Sequence, residues 1–255
     1  MKTSAKCTIL KNSAKTILAG KYYFAIMTLL FSGMITLLFN RFAYNLNEHV
    51  CVTLINLLHL TSGSVMIIAL SYLLPFFLSI LLNVMQVGIC LYFLNIVSGN
   101  PFYTFDLLYG YHHEFGKSLR LSAALTFLSF VCFLPSDVMM DLYQDRATAG
   151  AGVMLFLAAL QIALVILFVP LSLALSQSYY IMLDYPNLSV PEILKLSMKI
   201  MQGKKKQLFY VQLSFLPVFF VGILTFGFGL LWLIPYRNAT LALYYLDLMK
   251  PTDQA

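Results

Sequence analysis

Charge is scarce in this chain: Asp, Glu, Lys and Arg make up 10% of its 255 residues, against about 25% in a typical soluble domain. Hydrophobic residues reach 60% and mean hydropathy is +0.84, more apolar side chain than a soluble core of this length can bury, so lipid must cover the excess. No Asp or Glu falls in the core of an apolar run, which argues against a carboxylate proton relay. The four cysteines, Cys7, Cys51, Cys90 and Cys132, show no paired spacing, so neither a zinc site nor a disulfide framework is indicated. Paired carboxylates, an activated nucleophile and a phosphate-cradling glycine loop are all missing from the sequence. The expectation is therefore no enzyme, no cofactor and no metal. The net charge of +6 does not point to nucleic acid, because the lysines cluster beside apolar runs rather than on a soluble basic face.

What the chain does have is clearest from Ser189 to Lys250. Ser189-Val190-Pro191-Glu192 has the spacing of a capping box, with Ser189 as N-cap and proline tolerated in the first turn. Glu192, Lys195, Lys199 and Gln202 recur at three- and four-residue steps, while Ile193, Leu196, Ile200 and Met201 lie elsewhere on the wheel. That pattern describes an amphipathic helix, and Gly203 stands where its C-terminal cap belongs. Lys204, Lys205 and Lys206 then mark a membrane boundary before an apolar run.

Several pieces of this region resemble a known family. Ser-Met-Lys-Ile-Met-Gln-Gly-Lys (197–204), Leu-Phe-x-x-Gln-Leu-Ser-Phe (208–215), Leu-Thr-x-Gly-x-Gly-Leu-Leu-Trp-Leu-x-Pro-Tyr (224–236), Thr240 and Tyr244-Tyr245 are similar to the C-terminal signature of bacterial integral membrane proteins grouped as domain of unknown function nine-seven-five. Ala14 to Tyr22 resembles the family's opening, and Leu183-Asp184-Tyr185-Pro186 its motif after the helix containing Pro170. The resemblance covers most of the chain, more loosely between about Asn40 and Asn95. It implies a fold and a compartment, and it brings no catalytic residues.

Taken in order, Met1 to Lys21 carries five lysines and no acid, with Leu10, Ala14, Ile17 and Leu18 on one helical face. This reads as a basic amphipathic helix on the membrane surface. Residues 22–39 form a first span, too long for a signal peptide and lacking a cleavage site after it. Asn40 to Ser64, with Thr53, Asn56 and His59 as a polar stripe, fits an interfacial helix. Residues 65–96 exceed the hydrocarbon thickness and must tilt, kink at Pro75 or project. Asn100-Pro101 reads as the start of another surface helix. Further spans are expected at 119–134, ended by Pro135 with Asp137, Asp141 and Asp145 in the loop beyond, and at 152–175, kinked at Pro170. The last two are 208–226 and 229–249. Tyr179, Tyr180 and Tyr185 are placed in the aromatic belt. The fold class is thus an all-α polytopic membrane protein, a single integral domain of about six spans, or five if the last segment lies in the interface.

Gly20-Lys21, Gly116-Lys117 and Gly203-Lys204 each close an amphipathic segment and precede a span, at separations of 96 and 87 residues. Three units of surface helix plus span hairpin would produce this spacing; so would a general habit of flanking spans with glycine and lysine. With six spans and both termini cytoplasmic, the outer loops hold only Arg41 and Arg146, and the remaining basic residues apart from Arg237 fall inside, as the positive-inside rule requires. The compartment expected is the cell membrane.

Few residues suggest a site. His112-His113-Glu114 lacks the i, i+4 histidine pair of a helical zinc site and is better read as part of a surface helix decorated with polar residues. Asp137, Asp141 and Asp145 share a helical face but need no cation in a solvated loop. Asn83, Gln86 and Gln161 lie within spans, lining a path or bonding helix to helix. Arg237, inside a span at a cost of about 2.5–3.5 kcal/mol unless partnered, is either an anion or lipid contact or a snorkelling residue beside the break at Pro235. Lys204, Lys205 and Lys206 are topology determinants or contacts for anionic lipid headgroups. Two functions stay open: a transport-related or lipid-handling protein with a polar site between bent helices, and a scaffold whose cytoplasmic amphipathic helices recruit a partner.

Overall fold

The computed structural model describes residues 2–59, 65–144 and 151–250, and among them every regular element is helical. The elements are α1 (Lys2–Leu18), α2 (Tyr22–Leu58), α3 (Val65–Asn83) and α4 (Met85–Ser98), then a 3-10 turn (Thr104–Leu108) and α5 (Tyr109–His112). They continue as α6 (Phe115–Gln144), α7 (Ala151–Leu175), α8 (Ser178–Asp184), α9 (Val190–Ile200), α10 (Lys205–Leu213), α11 (Leu216–Leu224) and α12 (Leu230–Met249). Five stretches are long and apolar enough to cross a membrane: Tyr22–Leu58, Met66–Ser98, Phe115–Met139, Gly152–Asp184 and Lys205–Leu224.

Several expected boundaries move, some toward longer helices and some to new breaks. No glycine or proline separates Phe39 from Leu58, so α2 runs without a break where a separate interfacial helix was expected, until His59 (φ 50°) closes it in the left-handed region. The end of that expected helix, 60–64, lies outside the described residues. Pro135 does not end α6, which continues to Gln144 and puts Asp137 and Asp141 on a helix rather than in a loop; Asp145 lies outside the described residues. In lipid an abandoned helix leaves backbone groups unsatisfied, so losing one hydrogen bond to proline costs less than stopping. Pro75 is likewise internal to α3, and the Ser71 carbonyl it frees accepts Asn47 Nδ2–H from α2 at 3.4 Å. The break comes instead at Asn83–Val84. Asn100 starts no helix: its N–H returns to Asn95 O at 2.9 Å, ending α4 around Gly99 (φ +77°).

The capping box at Ser189 forms as expected, with the Ser189 N–H and hydroxyl both donating to Glu192 Oε2, at 2.8 and 2.6 Å. α1 also forms where expected, but its apolar face of Cys7, Leu10, Ala14 and Leu18 is buried against protein, chiefly α12, with α10 and α4 beside it. Lys11 reaches inward too: Nζ donates to Ser214 O at 3.0 Å and sits 4.2 Å above the Phe215 ring.

A three-part order runs through these contacts. α2 pairs with α3, α6 with α7, and α11 with α12, giving three hairpins. The short element before each hairpin packs on the return arm of another: the 3-10 turn and α5 on α4, α9 on α8, and α1 on α12, which closes a ring. The ends of the return arms meet at the centre, where the buried doublets Tyr92-Phe93 and Tyr244-Tyr245 and the buried Tyr180 gather. Tyr180 stacks on Tyr245 at 5.1 Å between centroids, and Tyr245 OH donates to Asp184 Oδ2 at 2.6 Å. Tyr180 therefore belongs to the core, not to the aromatic belt.

The glycine-lysine junctions fall at the same end of the hairpins. Gly20 (φ +80°) and Gly203 (φ +75°) turn the chain, whereas Gly116 lies in the first turn of α6 and Glu114 (φ 48°) takes the left-handed position instead. Lys21 Nζ donates to Ile96 O at 3.5 Å, and Lys117 Nζ donates to Pro186 O. In the third unit the bond is reversed, with Tyr244 OH donating to Lys204 O at 3.2 Å. Each junction thus ties the start of its hairpin to the end of its own return arm, and the two lysines place positive charge where helix carbonyls are left over.

Candidate functional site: a hydroxyl-lined cleft

Serine and threonine recur on α6 at Ser118, Ser122, Thr126 and Ser129, steps that keep them on one helical face. Opposite them the chain loosens: α7 ends at Leu175, Ser176 and Gln177 form a turn, and α8 resumes at Ser178. The end of α3 supplies the third wall. Between the three lies a cleft of about 270 Å³, lined by Asn83, Thr126, Ser129, Ser172, Ser176 and Tyr179 together with Leu125, Leu128, Phe168 and Leu175. Asn83 Nδ2 donates to Thr126 Oγ1 at 2.8 Å across it.

The lining has no charged side chain. Most of its hydroxyls are anchored on their own helices: Ser129 donates to Thr126 O at 2.9 Å, Ser172 to Val169 O at 3.0 Å and Ser176 to Leu173 O at 2.8 Å. Each keeps acceptor capacity toward the cleft. Behind the wall, Gln177 donates to Ser176 Oγ at 2.9 Å while its Oε1 has no hydrogen bond among the described residues. Ser118 and Ser178 are fully buried and their hydroxyls are likewise without one, while the buried Ser122 lies within reach of the Tyr179 hydroxyl. Such an orphaned buried group costs about 1–3 kcal/mol, and none of these is in the cleft lining.

Of the candidate site residues named from the sequence, the cleft takes in Asn83; Tyr179, expected in the aromatic belt, lines it as well. Gln86 is exposed near the start of α4, and Gln161, partly buried on α7, has its Oε1 buried without a hydrogen bond. Arg237 is exposed on α12, within electrostatic reach of Tyr180, and has no hydrogen bond or ion pair among the described residues. Lys204 and Lys205 are half-buried and Lys206 exposed. Tyr244, which meets the Lys204 carbonyl, stands seven residues beyond Arg237 on α12, about 10 Å along the axis, so Arg237 and the lysines do not form one site. His113 stacks on Tyr109 at 4.7 Å, His112 Nδ1 lies 3.1 Å from Leu108 O, and Glu114 pairs with Lys117 at 3.3 Å. A second cavity, about 250 Å³, lies between α2 and α3 around Asn47 and Pro75.

The long apolar helices, the hairpin order and a polar cleft among them define an all-α polytopic membrane protein. The chain belongs to the family described as protein of unknown function (DUF975), whose profile matches residues 3–252. No curated protein and no solved structure matches it.

Proposed function

We propose that this is a lipid-handling or transport-related membrane protein that holds the polar part of an amphiphile in the cleft between α3, α6 and α7. The observation behind this reading is the concentration of hydrogen-bonding side chains at a helix break inside an otherwise apolar bundle. Polar groups in a bilayer interior are costly unless they bond to each other or to something that enters. The cleft volume lies just below the usual range for ligand pockets, about 300–1,000 Å³, a size for a headgroup with its chains left in the bilayer.

On this reading the protein sits in the cell membrane with six crossings and both ends on the cytoplasmic side. α12 is too polar to count by hydropathy, yet it is the antiparallel return of α10 and α11, closed at one end by Tyr244 on Lys204 and at the other by Gly229 against Gly222. A helix buried among others at Ala239, Thr240, Ala242, Tyr244 and Tyr245 need not be apolar all round. Lys204, Lys205 and Lys206 would then lie among anionic headgroups. The scaffold alternative has less behind it, because the apolar faces of α1 and α9 are already covered by the bundle.

The test is co-purification. Lipids extracted from the purified protein should include a species that is lost when Ser172→Phe fills the outer wall of the cleft. An unchanged lipid complement in a folded Ser172→Phe protein would contradict the proposal.

A further inference from the structure

The cleft's hydrogen-bonding inventory narrows what could enter it, and we infer that its ligand is a lipid with an uncharged, hydroxyl-bearing headgroup, such as a diacylglycerol, rather than a phospholipid. This rests on the amphiphile-binding reading and adds the chemical class to it. The serines decide most. Ser129, Ser172 and Ser176 each spend their proton on a carbonyl of their own helix, and Thr126 Oγ1 takes the Asn83 amide. They present acceptors to the cleft, which call for a donor, and a phosphodiester group has none to give. A ligand hydroxyl can donate to a serine Oγ.

Charge points the same way. Burying an ionised phosphate without a cation is far more costly than burying a hydroxyl, and no Lys or Arg lines the cleft. Lys117, one residue before the α6 hydroxyl row, already holds Pro186 O and Glu114. Arg237 neighbours Tyr180, which turns away from the cleft to stack on Tyr245. An ammonium headgroup fits no better, since the lining carries no carboxylate to balance it. The apolar part of the lining, with Phe168 and Leu128, suits the glycerol backbone and the first methylenes of the chains.

The experiment uses the full chain in nanodiscs of dioleoylphosphatidylcholine, with a diacylglycerol carrying a photoactivatable acyl chain. Irradiation should label the segments around Thr126–Ser129 or Ser172–Ser176. Unlabelled dioleoylglycerol should compete at least tenfold better than dioleoylphosphatidylglycerol, and Ser172→Phe should abolish labelling. Ser129→Ala should weaken competition by about fivefold, the worth of one net hydrogen bond. If Ser129→Ala does not accumulate, Ser172→Ala carries the same test, with the same loss expected. Equal or better competition by dioleoylphosphatidylglycerol would overturn the uncharged-headgroup inference while leaving the cleft as an amphiphile site. Absence of label from the cleft segments would overturn both.

Discussion

Asn83 and Thr126, 43 residues apart in sequence, meet through an amide-to-hydroxyl hydrogen bond of 2.8 Å that joins the end of α3 to the middle of α6. The bond stands at the only turn interrupting 65–98, and it fixes one wall of the cleft against another. Asn83→Leu and Thr126→Val should each destabilise the protein in a double-mutant cycle, with a coupling energy of about 0.6–1.7 kcal/mol, the range for interhelical bonds in membranes. Reversible unfolding from mixed micelles would measure it, and a coupling near zero would remove the bond from the account.

Gly88 and Gly116 should respond in opposite directions to alanine. A Cβ at Gly88 would sit 2.1 Å from the Leu107 carbonyl oxygen, which is backbone and cannot swing away, so Gly88→Ala must push the 3-10 turn off α4. Overpacking of this kind costs about 1–3 kcal/mol. Gly116, in the first turn of α6, has nothing within 4 Å of its Cβ position, and Gly116→Ala should be neutral or stabilising by up to about 1 kcal/mol. Thermal unfolding of the two variants checks the contrast.

The cap of α9 should depend on pH. The hydroxyl and backbone N–H of Ser189 hold the Glu192 carboxyl below the usual carboxylate range. A depressed folded pKa means that the contribution is present above the unfolded value of about 4.3 and is lost as pH falls through the folded value. Amide exchange in the first turn of α9 should therefore quicken at acid pH in the parent. In Glu192→Gln the same step should be absent.

The proposed six crossings make a labelling prediction. In a background with the four cysteines replaced by serine, a cysteine at Phe226, which is 97% exposed at the turn between α11 and α12, should react with an impermeant reagent from outside. Cysteines at Lys205 and Lys250 should not. Outside labelling at Lys250 would mean that α12 lies in the interface.

Much of the fold was legible in the sequence because hydropathy and caps are local properties. Ser189 with Glu192, Gly203 and the run after Lys206 each announce an element from a few neighbouring residues. The helix end expected at Pro135 does not occur, since proline is a strong breaker in water and a weak one where lipid leaves the backbone no other partner. The belt position given to Tyr180 failed for a different reason: whether a tyrosine meets headgroups or another tyrosine depends on how the three return arms converge. The buried doublets Tyr92-Phe93 and Tyr244-Tyr245 mark those arms, and they carry more structural information about the repeat than the glycines do.

The cleft was legible only in part. Asn83 is conspicuous as an amide within a span, whereas Thr126, Ser129, Ser172 and Ser176 are not, because single hydroxyls are common in membrane helices. The signal available was the row Ser118, Ser122, Thr126 and Ser129 on one face of α6. Its counterpart at the α7 to α8 turn is contributed by a helix break that no breaker residue announces, Ser176-Gln177 holding neither proline nor glycine. Arg237 stands out for its cost in lipid, yet it lies on α12, which contributes no residue to the cleft lining.

The central claim, that the cleft holds the polar part of a lipid, is tested most directly by an electron cryomicroscopy map of the protein in nanodiscs of its native lipid. The account predicts elongated density whose head lies among Thr126, Ser129, Ser172 and Ser176, with its chains passing Phe168 and Leu128 into the bilayer. A well-ordered map with that cleft empty, or with its walls collapsed so that Asn83 and Ser172 meet, would contradict it.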